Sequence, residues 1–203
     1  QDVDYVITTE ELSSIIEQSG IVFDKVEIES ADVPFGIGSG SGMIFGITGG
    51  VTEAVMRRLQ RGHDRAAMRA ITESGVRGME GIKKFEIPYN GKLLKAAVVS
   101  GLANADIIMD GIRSGEEHFD FVEVMACPGG CIMGGGQPAK SGPRTRAGRI
   151  RGIYETDINT QIKKSDENPT VTLLYETLLK GHVHELLHRN TREAERAEQE
   201  RVE

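Results

Sequence analysis

The chain has 203 residues, 38% of them hydrophobic, enough for a real core in one ordinary domain or two small ones. A net charge of -7 argues against a general nucleic-acid surface, which needs clustered lysine and arginine, and no run approaches the ~18 apolar residues of a membrane span. The opening QDVDYVITT lacks the basic-then-apolar layout of a signal peptide, so a cytoplasmic location is expected; Gln1 in place of Met implies a chain that is processed, trimmed or part of something longer.

In chain order, the β-rich run Val3 to Thr8 predicts a short strand. Thr8 and Glu11 have the spacing of a capping box and open a helix that reaches about Gln18 and stops at Gly20. Between Phe35 and Gly50 lie seven glycines, and Val51, Val55, Met56 and Leu59 follow at helical spacing, so a glycine loop delivers the chain directly to a helix N-terminus. Asp64 to Glu73 reads as a short helix. Phe85 to Pro88 and Leu93 to Val99 flank Asn90-Gly91, the strongest short hairpin signal, with Pro88 confining the first arm to an edge.

Leu102 to Ser114 reads as a helix with Leu102, Ile107, Ile108 and Ile112 inward, ended at Gly115. Phe119 to Met125 reads as a buried strand that runs straight into ACPGGCIMGGGQP, and the carboxyl ends of such strands are where open α/β sheets hold ligands. Ala139 to Ile153 is rich in Gly, Arg and Lys and predicts an extended connector. Within it Lys140, Arg144, Arg146, Arg149 and Arg151 form a basic patch, either solvated or a docking site for an acidic partner. Asn168 then caps a helical segment with Val171, Leu174, Leu178 and Leu179 on one face, and the charged end TREAERAEQERVE is a solvated extension or frayed.

Three patterns carry chemistry. Cys127 and Cys131, the two cysteines of the chain, flank Pro-Gly-Gly and precede three glycines, a layout that lets both sulfurs face one side while backbone N–H groups point at them. That suits an iron-sulfur cluster, whose bulk only a backbone free of Cβ atoms can wrap; the bland alternative is an inert or disulfide-prone pair. An all-cysteine cluster needs four thiolates and the chain offers two, so another chain supplies the rest or two copies share one cluster. Second, His184-Glu185-Leu186-Leu187-His188 spells the zinc-binding H-E-x-x-H, but no third ligand follows, and packing or capping near a helix end is the competing role. Third, the loop Gly36 to Gly50 contains neither G-x-G-x-x-G nor G-K-[ST], so a wall against a close-fitting cofactor, or a plain tight turn, fits it better than a nucleotide site. Phe45 in its midst either lines a pocket or anchors the loop in the core.

EVMACPGGCIMGGGQP, Glu123 to Pro138, resembles the third signature of the catalytic domain of iron-iron (FeFe) hydrogenases, and VDYVITTEEL, GMIFGITGGVTEAVMR, VVSGLANADIIMDGI, FDFVEVMAC, ENPTVTLLYETLL and HELLH resemble the same family in the same order. The resemblance implies an α/β fold, a parallel β-sheet flanked by helices forming one of two lobes, over residues 1–138, with an extended, helical C-terminal tail over 139–203 that wraps the domain. It implies reversible interconversion of protons, electrons and H2 at an H-cluster, a 4Fe-4S cubane bridged to a two-iron unit with CO, CN and dithiolate amine ligands. Cys127 would ligate the cubane, and Cys131 would ligate it while bridging to the two-iron unit. Met125 and Phe45 would line the two-iron pocket, and Gly46, Gly129 and Gly130 would give the cofactor room.

The family's T-S-C-C-P-x-W and M-P-C-x-x-K-x-x-E signatures are absent, and with them two cubane ligands, a proton-delivering thiol and a cyanide-binding lysine. A split subunit or fragment is therefore implied, active only with a second chain that carries the N-terminal lobe and the missing cysteines. Electrons would pass to a ferredoxin or to iron-sulfur or flavin/NAD(P) subunits. The alternatives are a non-catalytic Nar-like iron-sulfur assembly or carrier protein and an H2-sensing relative; retention of Phe45 and Met125 favours the enzyme.

Overall fold

The computed structural model of the protein describes residues 3–29, 32, 36–60, 65–78, 80–138 and 143–188. Residues 3–8 are exposed and form no strand, contrary to their composition: β-branched residues make a strand only where a neighbour completes the ladder. Helix α1 (Thr9–Gln18) begins as the sequence indicates, with the Glu11 N–H donating to Thr8 Oγ1 at 3.2 Å and the Thr8 N–H to Glu11 Oε2 at 2.7 Å.

The glycine loop is more structured than its composition suggests. Ser39 caps the one-turn helix α2 (Gly40–Met43), a 3-10 turn follows at Ile44–Gly46, and Gly49, left-handed at φ 93°, admits the chain to α3 (Gly50–Leu59). A side chain at Gly50 would collide with the Ile44 carbonyl, so the chain doubles back there only because a glycine occupies the position. Helix α4 spans Arg65–Glu73, while Asp64 lies outside the described residues.

The hairpin forms where Asn-Gly places it. Strands β1 (Ile82–Tyr89) and β2 (Lys92–Ser100) pair antiparallel with Tyr89 opposite Lys92, and Asn90 and Gly91 both have positive φ, 49° and 74°. Pro88 lies on the edge strand, where no ladder bond is lost outward. A crossover through α5 (Leu102–Ser114) then lays β3 (Phe121–Met125) parallel to β2, with Ser100 opposite Met125. The sheet is thus mixed, order β1-β2-β3, with helices around it.

Met56, Ile71, Val76, Ile87, Ala96 and Val98 form a core between α3, α4 and one sheet face, and Ala97 and Val99 face the other way beneath α5. Of the four residues expected to point inward on α5, only Ile108 is buried; Leu102 and Ile107 are 62% and 60% exposed and Ile112 36%. The sheet is three strands wide, too narrow to cover the full apolar arc of that helix.

The expected extended connector is a helix, α6 (Pro143–Asn159). Its inward positions are mostly polar, which hid the periodicity. Arg57 of α3, 2% exposed, forms a fork on Asp157 of α6 at 2.8 and 2.7 Å and meets Glu53 at 2.6 Å, and Glu53 also takes Arg77 at 2.7 Å. The Arg77 guanidinium lies 3.9 Å above the Tyr154 ring. Burial works against the Arg57 charge, but Asp157 and Glu53 together more than offset it and its pKa rises. Beyond α6, Asn168 caps α7 (Pro169–Glu176) and also donates to the Ile37 carbonyl at 2.6 Å. The segment that reads as one apolar face breaks at Thr177, and a five-residue helix α8 (Val183–Leu187) resumes after Gly181; Leu179 is buried but Leu178 is 69% exposed. The charged end falls outside the described residues, as does Lys140. Among the described residues no helix is long and apolar enough to cross a membrane.

Candidate metal-cluster site

Strand β3 ends at Met125, and two residues later the chain enters the turn that carries Cys127 and Cys131, both free and exposed. The turn is fastened by its own backbone: the Gly130 N–H donates to the Cys127 carbonyl at 2.9 Å, Met133 N–H to Gly130 O at 3.0 Å and Gly134 N–H to Cys131 O at 3.0 Å. From below, Ser100 Oγ at the end of β2 accepts from the Gly129 N–H at 2.9 Å.

Gly130 adopts φ 84° and ψ -171°, a region essentially closed to L-residues. A Cβ there would lie 2.6 Å from the Gly46 carbonyl oxygen and 2.9 Å from the Thr48 nitrogen. The cysteine turn therefore rests directly on the glycine loop, and the structure brings Gly46, Gly129, Gly130, Cys127 and Cys131 into one place. On the other side, a Cβ on Gly134 would stand 3.8 Å from the Cys127 sulfur, and one on Gly135 would meet nothing within 4 Å. Two thiols on a turn lined by bare backbone fit a bulky thiolate-bound inorganic cluster. They are half of a cysteine ligand set, and among the described residues no three His, Cys, Asp or Glu side chains gather to hold a metal ion.

Two residues to which the sequence assigns no part in the site hold this arrangement. Glu123 of β3, 5% exposed, accepts from the Gly49 N–H at 2.7 Å, the Thr52 N–H at 2.7 Å and the Thr52 hydroxyl at 2.6 Å, placing a carboxylate on the N-terminus of α3. The visible signal is an acid among the apolar residues of the run expected to form a buried strand. Arg149 of α6 donates to the Ile132 carbonyl at 2.8 Å and the Pro138 carbonyl at 3.1 Å. Arg149 belongs by sequence to the basic patch expected to be solvated or to dock a partner, yet it faces inward; Arg151 of that patch is exposed, with Glu155 at 3.7 Å.

Met125 is partly buried at the mouth of the turn. Phe45 is 46% exposed and belongs to no core; it lines an apolar groove of about 620 Å³ between α3 and α7 with Val51, Val55, Leu59, Val171 and Tyr175. His184 and His188 stack with ring centroids 4.9 Å apart on exposed α8, and Glu185 pairs with His182 at 3.0 Å.

Known proteins resemble this chain over most of its length. Residues 1–135 match the family model for the iron only hydrogenase large subunit, C-terminal domain, and residues 143–190 that for the iron hydrogenase small subunit. The chain is 37% identical over 197 residues to iron hydrogenase 1 of Clostridium pasteurianum, covering 93% of this chain and 34% of that protein. It is 38% identical over 192 residues to the NADP-reducing hydrogenase subunit HndD of Solidesulfovibrio fructosivorans, covering 92% and 33%. Among solved structures, a variant of the FeFe-hydrogenase HydA1 from Chlamydomonas reinhardtii superposes with a TM-score of 0.61 at 33% identity over 88% of this chain and 52% of that one. The chain thus spans about a third of the length of the curated relatives it matches.

Proposed function

The chain belongs to the iron-only hydrogenase family, and from that premise we propose that it is the part of an FeFe-hydrogenase that holds one side of the H-cluster during reversible reduction of protons to H2. The supporting observation is the pair of exposed thiols on a turn whose Gly130 has no room for a side chain, in a chain without a third cysteine. Cys127 and Cys131 would supply two of the four thiolates of the cubane, and Cys131 would also hold the two-iron unit. When bound, the group supplies an open iron that polarises H2, an amine that accepts a proton and a cubane that passes on electrons.

The residues of this chain would bind and orient. Gly130 seats the cysteine turn on the glycine loop at Gly46, Gly129 adds a further residue without a side chain, Met125 at the mouth of the turn and Phe45 beside Gly46 would offer apolar surface to the two-iron unit, and Glu123 holds the glycine loop against β3. Residues 1–138 act as the lobe and 139–203 as the tail that braces it. The remaining ligands come from a second polypeptide surface bearing the missing cysteines, and electrons leave through a ferredoxin or a flavin/NAD(P)-linked subunit.

Infrared spectroscopy of the complex after maturation tests this reading. Bands in the carbonyl and cyanide region are expected; an iron-sulfur visible spectrum without them identifies a carrier and refutes catalysis. Cys131→Ser is expected to abolish H2 turnover and the infrared bands, and unchanged turnover would remove Cys131 from its bridging role.

A further inference from the structure

Arg149 lies on the tail helix, in the segment that matches a different family model from the cysteine turn, yet its guanidinium reaches back across the chain to grip that turn. Its two carbonyl acceptors, Ile132 and Pro138, lie just beyond Cys131 and at the end of the glycine run, so the planar fork closes the loop like a clasp. Met133 Sδ is a third neighbour at 4.0 Å.

The bonds continue inward. Arg149 donates to the Ile132 carbonyl; that peptide's N–H belongs to Met133 and donates to the Gly130 carbonyl at 3.0 Å; and that peptide's N–H belongs to Cys131. Each bond in such a series polarises the next, so a charged donor at one end strengthens the N–H donor at the other. The series ends on the backbone nitrogen of the residue proposed to bridge the cluster.

We propose that Arg149 is a positioning residue that fixes the Cys131 turn and, through the Ile132 and Gly130 peptides, polarises the N–H of Cys131 itself, raising the reduction potential of the cluster held there. The inference rests on the cluster assignment above. Positive charge and stronger N–H donors near cluster sulfur favour the reduced, more negative state. The tail thereby acts on the cofactor without contributing a ligand.

Two measurements separate this inference from the assignment beneath it. Amide hydrogen exchange on the full chain without cluster reports the clasp alone: Arg149→Met is expected to speed exchange at Met133 and Gly130 at least tenfold, and Arg149→Lys, which keeps one point contact, by less. Unchanged exchange in Arg149→Met overturns the clasp. Redox titration of the complex reconstituted with iron, sulfide and the partner bearing the missing cysteines reports the electrostatic part. Arg149→Met is expected to shift the reduced-to-oxidised ratio at fixed potential about tenfold toward oxidised, about 59 mV for one electron, and Arg149→Lys by less. Arg146→Met is the charge control, since exposed Arg146 lies beside Pro128 and Gly129 from the same helix. A shift in Arg146→Met as large as in Arg149→Met, or none in the latter, overturns the proposal. If wild-type complex takes up no cluster at all, the functional reading fails while the exchange result still judges the clasp.

Discussion

At the scale of single residues, the site depends on what is missing from Gly130 rather than on what it carries. Its backbone conformation and the 2.6 Å approach to the Gly46 oxygen both exclude a Cβ. Gly130→Ala is expected to lose about 2–4 kcal/mol in urea unfolding through strain and collision combined, whereas Gly135→Ala, whose Cβ meets nothing within 4 Å, stays within about 0.5 kcal/mol. Equal losses would mean that the turn does not rest on the glycine loop. The thiol spacing and its glycines were readable in the sequence because they lie within a few residues of one another. Glu123 and Arg149 were not, because the donors to Glu123 lie 71 and 74 positions away and the acceptors of Arg149 17 and 11, distances that no local pattern records.

At the scale of elements, α6 joins α3 through a buried ionic group rather than an apolar seam. Removing one member leaves the others charged and unsolvated, so Asp157→Ala is expected to cost about 3–5 kcal/mol, a loss that chemical unfolding measures directly. Tyr154, beneath Arg77, adds a pH dependence. Burial pushes its phenol up to about 12, although Arg77 pulls the other way. Between the ordinary value near 10 and about 12 the unfolded chain releases this proton while the folded chain keeps it, so the contribution is complete below pH 10 and is lost as pH rises through that window. The difference in unfolding free energy between wild type and Tyr154→Phe is expected to shrink by about 1–2 kcal/mol between about pH 9 and about pH 12; a flat difference would show the phenol to be solvated. Helix α1, the hairpin and α5 were legible because caps, Asn-Gly and apolar spacing are local. Helix α6 was not, because Arg149, Tyr154 and Asp157 occupy the inward positions that apolar residues usually mark.

At the scale of the whole molecule, two thiolates give weak affinity for iron and four give strong affinity. The isolated chain is expected to retain substoichiometric iron after reconstitution with iron and sulfide, and to take up about four irons per chain once a polypeptide bearing the proposed further cysteines is added. Four irons per pair of chains, with a dimer in solution, would instead mean that two copies share one cluster. The sequence by itself determined the chemical groups of the site, two thiols on a glycine turn at the end of a strand, because thiol count, spacing and glycine content need no distant partner to be read. The tertiary structure alone decided what the turn rests on and what grips it: the glycine loop beneath Gly130, the Glu123 carboxylate at the head of α3 and the Arg149 fork from the tail. Those contacts join segments far apart in the chain, and only folding brings a carbonyl, a carboxylate and a guanidinium close enough for short-range hydrogen bonds to act.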